Sequence, residues 1–284
     1  MLPAKLNALL HGAGQSRRRK PSNRVPAYLP ARIVRQSLRA NREHGVVYLN
    51  NPKAGCSTVK ASLWQVFGQL PEGNVHPLEG SPFSNEITDA EWMADAFIFT
   101  FVRNPFVRIV SCYIEKILGR KDNVWKFLER RHGLNMDDPL SFDSFVECVS
   151  ADPPHLHDPH WRPQTLNTLT CQVTPNFVGA VENMNNELPR VLAYLSAGQK
   201  TNMILRNKHR TGATQRWQTF LCDSGTVSRI QQIYGEDFAT FGYAPEVSTG
   251  SLPMREGVFR NHSHPEFADA LRLSAEAEQE QGES

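Results

Sequence analysis

An α/β layer fold, with a mostly parallel central sheet flanked by helices, is the architecture this sequence predicts, and three observations predict it. Val46, Val47, Tyr48 and Leu49 form a short apolar run that reads as a buried strand, and Val59, Leu63, Val66 and Phe67 then recur at helical spacing. A second β-rich run, Ala96 to Val102, passes at once into another helical pattern from Pro105 to Tyr113. Further helical patterns follow. Strands alternating with helices indicate parallel pairing, because each connection must cross back over a face of the sheet. Ligands of such sheets sit beyond the carboxyl ends of the strands.

Taken in order, residues 1 to about 30 carry Gly, Ser, Pro and the run Arg17-Arg18-Arg19-Lys20, which reads as poorly ordered. From there to Glu43 a helix is expected, with Arg32, Arg35, Arg39 and Arg42 at three- and four-residue spacing forming one basic stripe. The stripe is either a solvated face or a contact for an acidic glycan or for a nucleotide. After the strand, loop and helix of residues 46 to 67 and the second unit of residues 96 to 113, Leu140 to Val149 places Phe142, Phe145, Val146 and Val149 on one helical face. Asn183 to Ala197 and Thr226 to Phe238 read as further helices. Beyond Pro245 the chain turns polar and then acidic, ending AEAEQEQGES, as a frayed helix or a disordered tail does. The expected division is a basic segment over 1–43, one domain over 44–245 and a tail over 246–284. No internal repeat is visible.

Composition bounds the answer loosely. With 284 residues, 40% of them hydrophobic and 21% charged, the chain can bury one substantial core. The formal charge of +2 neither favours nor disfavours an anionic partner, and no nucleic-acid partner is expected. No run approaches the ~18 apolar residues a membrane span needs. The opening MLPAKLNALLHGAGQSRRRK places its charges after a short apolar patch, a poor fit to a signal peptide. Five cysteines without paired spacing read as reduced thiols. Together these predict a cytoplasmic location. The oligomeric state is left open.

The chemistry concentrates in two turns. Between the first strand and its helix lies Asn51-Pro52-Lys53-Ala54-Gly55-Cys56-Ser57-Thr58. Backbone N–H groups at a helix start, the positive end of the helix dipole and the Lys53 ammonium together suit an anion. The Gly-x-x-x-x-Gly-Lys-Ser/Thr spacing that wraps a triphosphate and holds magnesium is absent, so a nucleotide with another phosphate arrangement fits better. At the end of the second strand stands Arg103, followed by Asn104, Pro105 and, two helical turns on, Ser111. Pro105 suits the first turn of a helix. A guanidinium fork and a hydroxyl then flank one phosphate-sized space.

These two turns resemble motifs of the sulfotransferases. Pro52-Lys53-Ala54-Gly55-Cys56-Ser57-Thr58 after a strand is similar to the 5′-phosphosulfate loop, and Phe101-Val102-Arg103-Asn104-Pro105-Phe106-Val107-Arg108-Ile109-Val110-Ser111-Cys112-Tyr113 to the 3′-phosphate motif. The nearer likeness is to the Golgi carbohydrate sulfotransferases of the chondroitin 4-O and heparan 2-O type and their bacterial relatives. Three further stretches carry it: Asp158-Pro159-His160-Trp161-Arg162-Pro163-Gln164, Phe177-Val178-Gly179-Ala180-Val181-Glu182, and Tyr234-Gly235-Glu236-Asp237-Phe238 running on to Phe241-Gly242-Tyr243. The resemblance implies a P-loop NTPase-like sulfotransferase fold. It implies sulfuryl transfer from 3′-phosphoadenosine 5′-phosphosulfate to a carbohydrate or glycosylated acceptor, by in-line displacement and with no metal required. Lys53 and the loop from Ala54 through Gly55, Cys56 and Ser57 to Thr58 would hold the 5′ end, and Arg103 and Ser111 the 3′-phosphate. Lys208, in Arg206-Asn207-Lys208-His209-Arg210, sits where related enzymes send a late loop over the nucleotide. A solvated turn is the alternative there.

An acceptor hydroxyl needs a general base, and histidine is the first candidate type. His76 lies between the two nucleotide motifs, where the heparan 2-O relatives keep their catalytic histidine, and His160 lies in the His-Trp stretch. Either is also compatible with a hydrogen-bonded structural role. Asp158 or Glu182 could orient the chosen ring. Cys56 at a helix start invites a nucleophile reading, and His155, His157 and His160 a zinc reading, but neither has the supporting residues such sites need. Trp161 and Arg162 suit either an acceptor groove or the core. Two rival classes remain: a phosphoryl transferase, which would need a magnesium-holding aspartate where Arg103 stands, and a binding module that keeps the pocket without the chemistry.

Overall fold

The computed structural model describes residues 29–68, 71–86, 90–196, 211–247, 257–261 and 263. The basic run near residue 18, Lys208 with its neighbours, and nearly all of the acidic tail lie outside the described residues. Helix α1 (Ala31–Ser37) runs straight into strand β1 (Leu38–Asn41), which pairs antiparallel with β2 (Val46–Leu49). The expected helix to Glu43 therefore stops early. Leu38 and Ala40 join the apolar core and Ala40 also bridges Ser84, so pairing with β2 satisfies the backbone that a continued helix would have exposed.

Helix α2 (Cys56–Phe67) and α3 (Ala90–Ala94) precede β3 (Phe97–Val102), which pairs parallel with β2. Next come α4 (Pro105–Cys112), a π-helical turn over Tyr113–Leu118, α5 (Asp122–His132), α6 (Phe142–Ala151) and the one-turn α7 (Gln164–Asn167). Strand β4 (Phe177–Ala180) pairs parallel with β3, and α8 (Met184–Leu195), α9 (Ala213–Arg216), α10 (Ser224–Ile233) and α11 (Gly235–Phe241) complete the described chain. The sheet order β1-β2-β3-β4 makes three of the four strands parallel.

Strand period places alternate side chains on opposite faces, and β2 uses both. Val47 and Leu49 meet α1, Met93, Ile98, Leu166 and Leu169 on one face, while Val46 and Tyr48 meet Val59, Leu63, Phe99, Phe101 and Leu188 on the other. All four β2 residues are buried, which is why the strand reads as an unbroken apolar run. Each fully buried aliphatic or Phe side chain contributes about 1.5–3 kcal/mol. A third cluster, built from α4, α5, α6, α10 and α11 around Trp161, takes in Val102 at the end of β3.

The helix expected over Thr226 to Phe238 is two helices broken at Tyr234. The break has a use: Tyr234 donates its hydroxyl to the Trp161 carbonyl at 2.6 Å, and Asp237 in the first turn of α11 accepts from the Gln164 and Thr165 amides. Both anchors fix the His-Trp stretch.

Candidate functional site

The three parallel strands end on one side of the molecule, and each feeds a turn into a single cavity of about 1190 Å³. From β2 comes Asn50 and the loop to Lys53, from β3 Arg103, and from β4 Val181. Lys53, Gly55, Cys56, Ser57, Thr58, Arg103, Ser111, His76 and His160 all line this space. The sequence-predicted residues are thus brought together, with Ala54 buried behind the loop.

The first turn is built by backbone geometry. Lys53 and Gly55 both take left-handed conformations, φ 68° in each, and Gly55 caps α2 without a side-chain acceptor. The first-turn N–H groups of a helix have no partner within it. A Cβ on Gly55 would lie 2.3 Å from Met184 Cε, the movable end of a flexible side chain, so it is the left-handed φ that favours glycine here. Lys53 pairs with Glu115 of the π-helical turn. Burial alone would raise the Glu115 pKa, but Lys53 and, at 3.1 Å, Lys116 hold it down to about 2.

The second turn is capped by side chain: Asn104 accepts from the Phe106 and Val107 amides and Pro105 takes the first helical position. Arg103 donates to the Lys53 carbonyl at 3.3 Å and to the Thr214 hydroxyl at 2.9 Å, and Ser111 meets Thr211 at 3.3 Å. The two anion-type turns therefore touch.

What joins them is a set of polar residues, of which the sequence reading had assigned only Glu182, and that to another role. Gln164 Oε1 accepts from Asn51 Nδ2 and from the Arg103 amide, both at 2.9 Å, and its Nε2 donates to the Arg103 carbonyl at 2.8 Å. Arg108, fully buried, donates to the carbonyls of Pro52, Arg162 and Pro159. Glu182 accepts from the Asn104 amide and the Tyr243 hydroxyl. Among the described residues these partners, and no histidine, are what it meets. The signal for these roles was present only as positions inside motifs, since spacing does not say which carbonyls a fork will reach. Trp161 and Arg162 are core residues: Trp161 is edge-on to Phe127 and Phe145, and Arg162 binds Gln36, Asn167 and the His157 carbonyl. His155, His157 and His160 do not converge into a metal-binding group among the described residues.

The two histidines differ in their partners. His160 Nδ1 lies 2.6 Å from Asp158 Oδ1, so a neutral ring carries its proton on Nδ1 and presents Nε2 as the acceptor. His76 Nδ1 lies 2.7 Å from Lys60 Nζ, and its Nε2 lies 3.0 Å from Ser57 Oγ. Burial pulls Lys60 down to about 8, which still leaves it an ammonium at neutral pH, a donor only. His76 Nδ1 must then accept, and its Nε2 is the protonated nitrogen facing Ser57.

The profile of the sulfotransferase family matches residues 36–244, which include both turns and every strand carrying them. The chain belongs to the sulfotransferase family. Its curated relatives are carbohydrate sulfotransferases. Carbohydrate sulfotransferase 14 of Danio rerio is 24% identical over 236 residues, 76% of this chain and 64% of its own length. Carbohydrate sulfotransferase 12 of Mus musculus is 24% identical over 246 residues, 70% of this chain and 58% of its own. Carbohydrate sulfotransferase 10 of Gallus gallus is 24% identical over 178 residues, 53% and 49%. The chain spans roughly three fifths of the length of the first of these sulfotransferases. No solved structure matches it at a significant level.

These relatives correct the cytoplasmic expectation. They are animal carbohydrate sulfotransferases, of the Golgi type resembled above, and not members of a cytoplasmic family. The physical fault lay in the cysteines. Cys112 and Cys148 are buried in the apolar core, where a thiol packs as a small hydrophobe and does not report its redox compartment. No helix among the described residues is long and apolar enough to cross a membrane.

Proposed function

We propose that the protein transfers a sulfuryl group from 3′-phosphoadenosine 5′-phosphosulfate to a hydroxyl of a carbohydrate acceptor. The observation that carries this reading is the convergence of Lys53, Arg103, Ser111, His76 and His160 on one cavity at the carboxyl ends of parallel strands. The residues fit such a donor: two cationic turns in contact, and a helix start without a side-chain cap, entered through a left-handed glycine. The same strand, loop and helix support a P-loop-like assignment of the fold, over a catalytic domain of residues 44–245 to which α1 and β1 are added. When bound, the donor supplies a sulfuryl group already activated by its bond to phosphate.

The protein's part is positioning and charge. Lys53 and the start of α2, Ala54 to Thr58, neutralise the negative charge that grows on the 5′-phosphate as the bond breaks. Arg103 and Ser111 hold the 3′-phosphate, which selects this donor over ATP, and Lys208 is proposed to close over the nucleotide. To reach a phosphate oxygen, Lys53 must exchange its Glu115 partner. His160 accepts the hydroxyl proton at Nε2, and Asp158 fixes the tautomer and stabilises the imidazolium formed. His76, with Nε2 protonated, donates to an oxygen of the transferred group and so serves catalysis beside Ser57. The test is twofold. The purified protein should bind adenosine 3′,5′-bisphosphate by calorimetry, and it should transfer labelled sulfate to a glycan mixture. Lys53→Ala or Arg103→Ala should abolish binding. Unchanged affinity in both variants overturns the reading.

A further inference from the structure

Lys60 lies on α2 one turn after Ser57 and is only 4% exposed, yet among the described residues no carboxylate pairs with it. Its ammonium donates to His76 Nδ1 at 2.7 Å. Burying a cation away from water and from any counter-charge costs free energy, and an apolar side chain of similar length would pack there without that penalty. The surroundings suit one: Ala61 and Trp64 of α2 hold Val75, the neighbour of His76, in a small apolar cluster. A lysine in such a place supplies something an apolar residue does not.

The His76 ring is held from several sides. Asn74 Oδ1 accepts from the His76 amide at 3.1 Å, Val75 anchors the backbone on α2, Lys60 takes Nδ1, and Ser57 Oγ stands 3.0 Å from Nε2. Ser57, Lys60 and His76 all line the large cavity. The direction of the hydrogen bonds follows from Lys60. Burial pulls its pKa down to about 8, with Cys56 one turn earlier on α2 opposing and Arg39 of β1 adding to the shift, so it remains an ammonium at pH 7. An ammonium has no lone pair. His76 Nδ1 therefore accepts, Nε2–H donates to Ser57 Oγ, and the Ser57 hydroxyl proton is left to point into the cavity. These bonds run one way, and each strengthens the next. With an apolar residue at position 60 the ring could carry its proton on Nδ1, and Nε2 would then accept.

From this we infer that Lys60 is a positioning residue for catalysis: by fixing the His76 tautomer it makes the His76 and Ser57 side chains hydrogen-bond donors toward an oxygen of the transferred group. The inference rests on the proposed sulfuryl transfer and assigns Lys60 a part in it. A sulfuryl oxygen has lone pairs and no proton, so N–H and O–H groups on this wall of the cavity stabilise it, whereas a bare imidazole nitrogen would repel it. Lys60 acts through the ring, and His76 with Ser57 makes the contact.

The test uses the full chain. Nitrogen-15 shifts of the histidine rings, recorded at pH 7 without nucleotide and with His76→Ala to assign the signal, report the tautomer. Wild type should carry the His76 proton on Nε2, Lys60→Met should show the Nδ1–H form or a mixture, and Lys60→Gln, whose amide still donates, should lie between. Labelled-sulfate kinetics then supply a double-mutant cycle. Lys60→Met should lower kcat/KM for 3′-phosphoadenosine 5′-phosphosulfate about tenfold or more, as expected for loss of a charge-assisted hydrogen bond, and should add no further loss in the His76→Ala background. Lys60→Met replaces a buried cation by an apolar chain of similar volume, so the fold should be kept; if it is not, Lys60→Gln carries both measurements. A wild-type His76 ring protonated on Nδ1 or on both nitrogens, an unchanged tautomer in Lys60→Met, or additive losses in the cycle overturns the inference. A wild-type protein that neither transfers sulfate nor binds adenosine 3′,5′-bisphosphate would overturn the donor assignment instead, and the ring shifts, read without nucleotide, would still decide whether Lys60 sets the tautomer.

Discussion

His160 and His76 stand on the same cavity, yet their nearest neighbours give them opposite hydrogen-bonding states. The Asp158 carboxylate accepts a hydrogen bond from His160 Nδ1–H, whereas the Lys60 ammonium donates to the His76 Nδ1 lone pair. His160→Ala should therefore lower kcat about hundredfold or more while leaving donor affinity unchanged. His76→Ala should weaken donor binding, and steady-state kinetics paired with calorimetry separates the two. The reverse pattern would exchange the roles. Glu115 makes a second prediction. It pairs with Lys53, the ammonium proposed to hold the 5′-phosphate, so Glu115→Gln should tighten adenosine 3′,5′-bisphosphate binding several-fold. Its folded-state pKa of about 2 lies below the ordinary 4.5, so the pair contributes stability above pH 4.5 and loses it as pH falls toward 2. His157 moves the other way. Burial holds it down to about 4, so the unfolded chain takes up a proton that the folded one refuses. Stability is full above pH 6.5 and declines from there to about pH 4, and urea midpoints measured against pH should show a flatter slope in His157→Asn. Of this the sequence offered only Asp158 and Glu182, as alternative partners for the ring. Spacing located the histidines and Lys53, but which atom faces which was decided by residues 16, 62 and 2 positions away, as for Lys60, Glu115 and Asp158.

Among the elements, those with a local signal were read well. The strand at Val46–Leu49 and the helix start at Pro105 with its Asn104 cap follow from burial on both faces and from a ring that needs no N–H donor. The elements misread were those whose pattern was overridden at long range. Arg39 continued a helical spacing, but β1 pairing with β2 won, and Tyr234 interrupted a helix to reach Trp161. The π-helical turn carrying Glu115 had no sequence signal at all, and it is what brings that carboxylate into the cavity. Strand β4 offers a test of close packing. A Cβ on Gly179 would stand 2.4 Å from the Phe101 ring, which is itself wedged in the core. Gly179→Ala should cost about 1–3 kcal/mol in urea denaturation. Loss near zero would mean that the sheet shifts to accommodate it.

Across the whole molecule, the motifs of the family prove to hold one another. Arg108 of the second turn grips carbonyls of the first turn and of the His-Trp stretch, Gln164 links Asn51 to Arg103, and Asp237 near the end of the domain anchors Gln164. Arg108→Met should strip three charge-assisted bonds from buried carbonyls, lowering stability by about 3 kcal/mol or more and donor affinity with it. Intact donor binding in a destabilised variant would show that the turns hold their shape unaided. By itself the sequence determined the α/β class, the strand, loop and helix that make an anion site, the family, and the pair of cations at the ends of β2 and β3. These are local properties, set by side-chain period, capping chemistry and contiguous motifs. Only the tertiary structure decided that Lys53 rests on Glu115, that Trp161 and Arg162 are core, that Asp158 orients His160, and that Lys60 meets the His76 ring. Each of those depends on two distant segments meeting, and a hydrogen bond or an ion pair is specified by where both partners stand.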